Sequence, residues 1–168
     1  MQMKRLYLLR HAKSSWDDDS LSDVERPLNK RGQRDAPMMG KRLRARGFVP
    51  DSIVSSGAVR AETTARAVAH EIGYPLARIR REDALYLAGP ATLLEIVRRA
   101  DDKLGSLMLV GHNPGMTDFA NTLSDLRIDN LPTCGLFCAD FAVQRWREVE
   151  PGVGVLVCFD YPKKHDDA

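Results

Sequence analysis

The sequence has no long hydrophobic run, few cysteines and almost no excess of charge. Only three of its 168 residues are cysteine, and the net charge at pH 7 is +2. No apolar stretch approaches the about 20 residues that a transmembrane helix needs. The apolar run after Lys4 and Arg5 ends at Arg10, which is too soon for a signal peptide. These absences predict a cytoplasmic protein without a membrane segment, and the charge balance does not suggest a nucleic-acid-binding surface.

The three cysteines predict buried thiols rather than disulfides or a zinc site. Cys134 and Cys138 are four residues apart in a predicted strand, so their Cα atoms would lie about 13 Å apart, too far for a disulfide. No cysteine or histidine spacing matches a zinc pattern. We therefore interpret the cysteines as core residues and expect no bound metal.

Short apolar runs alternate with segments of helical periodicity, which is typical of an α/β fold. The predicted strands cover 4–9, 52–55, 76–79, 107–110, 136–143 and 153–159. The first predicted helix ends near residue 46, and the other three cover 61–73, 93–104 and 116–123. Pro37 either kinks the first helix or marks its true start, with Asp35 as the N-cap. We predict a single domain over 1–162, built as a three-layer α/β/α sandwich, followed by a polar tail at 163–168. Its sheet is mostly parallel and ends in an antiparallel hairpin.

Basic residues are concentrated in the first predicted helix. We interpret them as a solvated helix face, with a docking surface for an acidic partner as the alternative. These residues are Lys30, Arg31, Arg34, Lys41, Arg42, Arg44 and Arg46.

Three predicted strands are followed by residues suited to binding a phosphoryl group. Arg10 and His11 follow the first strand, Arg60 lies in the first turn of the helix after the second, and His112 directly follows the strand at 107–110. Because the carboxyl ends of parallel strands meet at one edge of a sheet, we expect these side chains to lie together. Arginine is a forked cation that fits phosphoryl oxygens, and neutral histidine is a nucleophile near pH 7. The pattern predicts a site for phosphoryl transfer.

Three segments resemble the motifs of the histidine phosphatase superfamily, also called phosphoglycerate mutase-like, and occur in the order of those motifs. They are 8–12 (LLRHA), 55–65 (SSGAVRAETTA) and 110–115 (VGHNPG). The short chain and segment 25–32 (ERPLNKRG) are most similar to the compact SixA-type phosphohistidine phosphatases. The resemblance implies that His11 is the nucleophile that becomes phosphorylated. It also implies that Arg10, Arg60 and His112 bind the phosphoryl oxygens and stabilise the transition state, without a cofactor.

Four further residues are candidates for substrate binding. The phosphate pocket of the family often includes a polar residue shortly after the nucleophile, which here is Lys13 or Ser14. Arg26 matches the Arg-Pro-Leu segment of the compact subgroup and is placed to reach the pocket from the loop at 14–28, although it is equally suited to pair with the aspartates of that loop. Asn113 belongs to the same motif as His112.

The acid that superfamily members use to protonate a leaving ester oxygen is poorly matched here. Segment 80–86 (RREDALY) offers Glu82 and Asp83 as candidate general acids. A positioned acid contributes about 10²–10⁴-fold to such a reaction. An imidazole, whose conjugate acid has a pKa of about 6.5, is a much better leaving group than an alkoxide. A weak match for the acid therefore favours a phosphohistidine substrate.

These observations predict a cofactor-independent phosphatase that removes phosphate from a phosphohistidine in a protein partner. One alternative keeps the mechanism and replaces the substrate with a small phosphoester such as a sugar phosphate. A second alternative, of another class, is a non-catalytic module that binds phosphorylated proteins. The presence of all four residues, Arg10, His11, Arg60 and His112, argues against that module.

Overall fold

A six-stranded sheet flanked by four α-helices forms the framework of residues 3–165, which are the residues that the computed structural model describes. The elements are β1 (Lys4–Arg10), α1 (Lys30–Ala45), β2 (Ser52–Ser55), α2 (Val59–Ile72), β3 (Arg80–Arg81), α3 (Pro90–Arg98), β4 (Ser106–Gly111), α4 (Gly115–Leu123), β5 (Leu136–Phe141) and β6 (Val155–Asp160). No helix in the described part of the chain is long and apolar enough to cross a membrane.

The strand order in the sheet is β3-β2-β4-β1-β5-β6. The first four strands in this order run parallel to one another, whereas β5 is antiparallel to both β1 and β6. The mostly parallel sheet with a C-terminal antiparallel hairpin is therefore confirmed. Strand β4 lies between β1 and β2, so the ends of these three strands are adjacent at one edge of the sheet.

The core consists of two apolar layers, one on each face of the sheet. Side chains alternate along β1, so that Tyr7 and Leu9 belong to the layer beneath α1 and α2, while Leu6 and Leu8 belong to the layer beneath α3 and α4. All four side chains are almost completely buried. Because both faces of the sheet are covered by helices, β1 is apolar on both sides. The predicted three-layer arrangement is confirmed.

The third predicted strand was misplaced. Residues Leu76–Arg78 form a 3₁₀ turn, and the strand itself consists of Arg80–Arg81, which pair with Val54 and Ser55 of β2. Leu76 and Ile79 pack against the core from the turn. The apolar side chains that suggested a strand therefore mark a turn that closes over the core.

Two helix boundaries also differ from expectation. Helix α1 begins at Lys30 and continues through Pro37, and its N-cap is Asn29, whose side chain accepts a hydrogen bond of 2.9 Å from the backbone N–H of Gly32. Asp35 is a buried residue that pairs with basic neighbours in α1, so it is not a cap. Helix α3 covers Pro90–Arg98, with Pro90 at its first position, and ends before the predicted boundary at 104.

The C-terminal segment and part of the basic helix contact each other. Of the predicted tail, residues 163–165 belong to a 3₁₀ turn, and 166–168 lie outside the described residues. Arg42 donates hydrogen bonds of 2.9 Å to the carbonyl oxygens of Tyr161 and Pro162 and forms an ion pair with Asp160 at 3.3 Å. This part of the basic face is therefore used within the fold. The three cysteines are buried free thiols, as expected.

Candidate active site

The sheet register brings the two histidines of the predicted site together. Arg10 pairs with Gly111 across β1 and β4, so the next residue on each strand, His11 and His112, lies at the same level. Their ring centroids are 5.2 Å apart. Both side chains are buried and line a pocket of about 490 Å³ at the carboxyl edge of the sheet, together with Arg10 and Arg60. The four residues predicted from three separate strand ends therefore occupy one pocket.

A backbone contact fixes the tautomer of His11. Its Nδ1 atom lies 2.7 Å from the carbonyl oxygen of Ala12. A carbonyl oxygen can only accept a hydrogen bond, so Nδ1 carries the proton in the neutral ring and Nε2 keeps its lone pair. The backbone N–H of Ala12 in turn donates to Thr64 Oγ1 at 2.9 Å, which ties this turn to α2. Nε2 is thus the unprotonated nitrogen of a ring that is held from its other side.

Terminal nitrogens of the guanidinium groups hold the two arginines in place. Arg10 Nη1 donates to the carbonyl oxygen of Leu131 at 3.0 Å, and Arg60 Nη1 donates to that of Asp23 at 2.6 Å. The Nε atoms of both arginines are buried and have no hydrogen-bond partner among residues 3–165. Buried cationic donors of this kind suit an anion with several oxygens.

His112 is oriented by a serine that the sequence analysis did not single out. Its Nε2 lies 2.8 Å from Ser56 Oγ, and its Nδ1 is buried with no partner in the described chain. Ser56 follows β2 directly, and its backbone N–H donates to the carbonyl oxygen of Val110 at 3.0 Å. The end of β2 therefore contributes a fixed contact to the histidine at the end of β4.

The loop after His11 contributes Ser14 and Arg26, which contact each other. Arg26 Nη1 donates to Ser14 Oγ at 2.8 Å, and the guanidinium carbon of Arg26 lies 3.5 Å from the ring centroid of Trp16. The side chains of Ser14 and Arg26 are buried and line the pocket. Lys13 is exposed and also lines the pocket. A Cβ atom on Gly32 would lie 2.2 Å from the carbonyl oxygen of Lys13, so glycine is required where α1 packs against this loop.

Asp23 and Tyr86 are two pocket residues that sequence reasoning missed. The Asp23 carboxylate accepts hydrogen bonds from Arg60 Nη2 at 2.9 Å and from Arg26 Nε at 3.1 Å, and a short one from the Tyr86 hydroxyl. The rings of Tyr86 and His112 meet edge to face at 5.3 Å. Asp23 was one of four aspartates in a polar loop, and nothing in the local sequence distinguished it from the others.

The structure does not bring the two candidate acids into the pocket. Asp83 is exposed and forms an ion pair with Arg81 at 2.7 Å, while Glu82 caps the following 3₁₀ turn by accepting from the N–H of Ala84. Neither lines the pocket that contains His11. The turn at Asp83–Leu85 directs Tyr86 toward the pocket instead, so the expected role of Glu82 or Asp83 is not supported.

Asn113 lines the pocket, but its amide is engaged by the protein. Its Nδ2 donates to Asn130 Oδ1 at 2.8 Å and to the carbonyl oxygen of Leu131 at 3.0 Å, and its Oδ1 accepts from the N–H and hydroxyl of Thr117. These contacts join the first turn of α4 to the segment that holds Arg10. The geometry therefore favours an anchoring role for Asn113 over substrate binding.

Burial and neighbouring cations keep both histidines neutral. Burial lowers the pKa of His11 to about 3, and His112, Arg60 and Arg10 act in the same direction. Burial, followed by the charge of Arg60, lowers the pKa of His112 to about 4. Hydrogen bonds from Tyr86 and then the arginines lower the pKa of Asp23 to about 2. At pH 7 the pocket thus combines neutral imidazoles, an ionised carboxylate and arginine cations.

We expect His11 and His112 to stay neutral in the phosphate-free protein when the pH falls from 7 to 5, whereas a free histidine protonates near 6.5. Because these pKa values lie below those of the unfolded chain, the contribution of both groups to stability is present above pH 6.5 and is lost as the pH falls toward 4. Imidazole ¹⁵N chemical shifts, assigned with His11→Asn and His112→Asn variants, measure both titrations. A midpoint at pH 6 or above for either ring would contradict this expectation.

Comparisons with known proteins agree with the site. Residues 6–85 match the family model of the histidine phosphatase superfamily (branch 1). An uncharacterized protein of Mycobacterium tuberculosis is 36% identical over 166 residues, which cover 92% of this chain and 100% of the relative.

Among the described residues, no group of three or more His, Cys, Asp or Glu side chains is arranged to hold a metal ion.

Solved structures share the same fold. A protein from Agrobacterium tumefaciens assigned as a phosphohistidine phosphatase SixA superimposes with a TM-score of 0.78 at 31% identity, covering 95% of this chain and 98% of that one. A mycobacterial glucosyl-3-phosphoglycerate phosphatase superimposes with a TM-score of 0.63 at 17% identity, covering 95% and 98%. The second likeness concerns the fold alone.

Proposed function

Because this chain belongs to the histidine phosphatase superfamily (branch 1), we propose that it is a phosphatase that acts on a phosphohistidine in a protein partner. The reaction takes place in two displacements at phosphorus. In the first, His11 Nε2 forms a bond to phosphorus while the P–N bond of the substrate breaks and its electron pair returns to the ring nitrogen. The other nitrogen of the substrate ring carries a proton taken from solvent, so the leaving group departs as neutral imidazole. In the second, water attacks phosphorus, the bond to His11 Nε2 breaks and returns its electron pair to that nitrogen, and the protons of the water leave with the released inorganic phosphate or pass to solvent.

The observation that carries this proposal is the contact between His11 Nδ1 and the carbonyl oxygen of Ala12. It leaves Nε2 unprotonated, and the low pKa of His11 keeps the ring neutral at physiological pH. The nucleophile is therefore ready without a base to deprotonate it. Arg10 and Arg60 supply buried donors for the charge that spreads over the equatorial oxygens of the transferring group.

The ionisation of the pocket supports a leaving group that does not need an acid. Asp23 is ionised at pH 7, His112 is neutral, and the hydrogen bond to Asp23 raises the pKa of Tyr86. Asp23 and His112 therefore hold no acidic proton at pH 7, and the proton of the Tyr86 hydroxyl is engaged by Asp23. A phosphohistidine that is protonated on its other ring nitrogen, by contrast, releases neutral imidazole. The similarity to the SixA-type protein of A. tumefaciens supports the same substrate class.

A small phosphoester is the second candidate substrate. The same fold occurs in the glucosyl-3-phosphoglycerate phosphatase, and the pocket of about 490 Å³ is large enough for a small ligand. This candidate requires a proton donor for the leaving oxygen. It is favoured if a variant of Tyr86 or Asp23 loses ester hydrolysis selectively.

The substrate is tested with a panel at matched concentration: a phosphohistidine peptide, the same peptide with phosphoserine, an aryl phosphate and sugar phosphates. We expect kcat/KM for the phosphohistidine peptide to exceed that for the alkyl phosphates by about 10²-fold or more, the factor a positioned acid would otherwise supply. Glu82→Gln and Asp83→Asn are matched controls, because they remove carboxylates outside the pocket. Faster turnover of a sugar phosphate than of the phosphohistidine peptide would favour the second candidate.

A further inference from the structure

An anion of the protein itself occupies the arginines of the phosphate pocket. The two oxygens of the Asp23 carboxylate take three hydrogen bonds, from Arg60, Arg26 and the Tyr86 hydroxyl. The backbone oxygen of the same residue takes another from Arg60, at 2.6 Å. These are cationic and hydroxyl donors of the kind that a phosphoryl oxygen would use.

The burial of Arg60 indicates that its contact with Asp23 opposes the binding of a second anion. The Arg60 side chain is 3% exposed, so its charge needs a counter-charge nearby. Asp23 provides it from a 3₁₀ turn on the loop at 14–28, and its side chain is 41% exposed. A phosphoryl group that binds Arg60 must therefore share the arginine with a carboxylate or displace it, and the two negative charges repel each other.

We propose that Asp23 is a positioning residue that orients Arg60 in the free enzyme and that weakens the binding of free phosphate by competing for Arg60 and Arg26. This inference rests on the proposed function. The competition opposes the phosphoryl group of substrate and product alike, but only the substrate has contacts through its leaving group to offset it. Asp23 thereby promotes release of the product.

The test is the affinity for inorganic phosphate, measured by calorimetry and as a competitive inhibition constant. We expect Asp23→Asn to bind phosphate about ten- to a hundredfold more tightly than the parent, because it keeps the shape and loses the charge. A residue that only held Arg60 in place would give the opposite sign, since its loss would weaken binding. Unchanged or weaker binding in the variant overturns the proposal.

A matched control lies two residues away. Glu25→Gln removes a carboxylate from the same turn, where it accepts hydrogen bonds from Ser22 and does not line the pocket, and glutamine preserves that cap. We expect its phosphate affinity to stay within about twofold of the parent, as is usual for an exposed charge. If Glu25→Gln tightened phosphate binding equally, the effect would follow from net charge alone, and the assignment to Asp23 would be overturned.

Two further measurements separate this inference from the proposed function. Asp23→Ser, which also removes the charge, is the second variant if Asp23→Asn fails to fold, and it carries the same expected sign. Phosphorylation of His11 is followed in parallel in the parent protein. A parent that forms the phosphoenzyme, together with variants that bind phosphate no more tightly, overturns the role of Asp23 alone. A parent that never forms it overturns the proposed function.

Discussion

Replacing His11 with alanine is expected to abolish the phosphoenzyme and to lower the turnover of a phosphohistidine peptide by at least about 10³-fold. The variant loses the only step that transfers the phosphoryl group to the protein, while Arg10 and Arg60 still bind the substrate. We therefore expect KM to change much less than kcat. The backbone around residue 11 is held by the contacts of Ala12 and Cys134, so the fold should survive the substitution.

The phosphoenzyme is measured by quenching at alkaline pH, where phosphohistidine persists, followed by mass analysis of the peptide that contains residue 11. His70→Ala is the matched control, because His70 is exposed on α2, away from the pocket. Added imidazole should restore part of the activity of His11→Ala by acting as an external nucleophile. Turnover in His11→Ala within tenfold of the parent would mean that His11 is not the nucleophile and that water attacks the substrate directly.

The layers of the fold were predictable because they depend on burial patterns that the sequence displays. Strand β1 is apolar on both sides, and α2 ends at Gly73, which adopts a left-handed conformation with a φ of 76°. The third strand was not predictable in the same way, because β3 consists of two exposed arginines. It is a strand only through its pairing with β2, and pairing leaves no local pattern in two residues.

The same distinction applies to the site. Arg10 is the last residue of β1, and His11 and His112 directly follow β1 and β4, so knowing the sheet was enough to expect them in one pocket. Asp23 reaches the pocket from a surface loop, through contacts with residues 37 and 63 positions away in sequence. Tyr86 replaced the expected acid because a turn, rather than a strand, positions the segment after β3. Such positions depend on tertiary packing, and the catalytic roles themselves stay predictions.

Replacing Arg60 with alanine is expected to lower kcat/KM by about 10²–10³-fold, the cost of removing one donor that stabilises the charge of the transition state. Two losses add up in this variant. The phosphoryl group loses a buried cation, and the carboxylate of Asp23 is left in the pocket without its main counter-charge. Arg60→Lys should recover little, since an ammonium group cannot reproduce the two-sided contact with the carboxylate and carbonyl oxygens of Asp23.

Because the Asp23 carboxylate loses its counter-charge in Arg60→Ala, a double-mutant cycle can test the interaction between Asp23 and Arg60. If Asp23 opposes anion binding, Arg60→Ala should cost less in a protein that already carries Asp23→Asn, so the double variant should exceed Arg60→Ala in kcat/KM by about tenfold. Arg66→Ala is the matched control, because Arg66 is exposed on the same helix. Denaturant unfolding of each variant separates the loss of a buried ion pair from the loss of catalysis. A double variant no faster than Arg60→Ala would mean that Asp23 does not oppose the anion, and a double variant slower than Arg60→Ala would mean that the carboxylate helps to bind it.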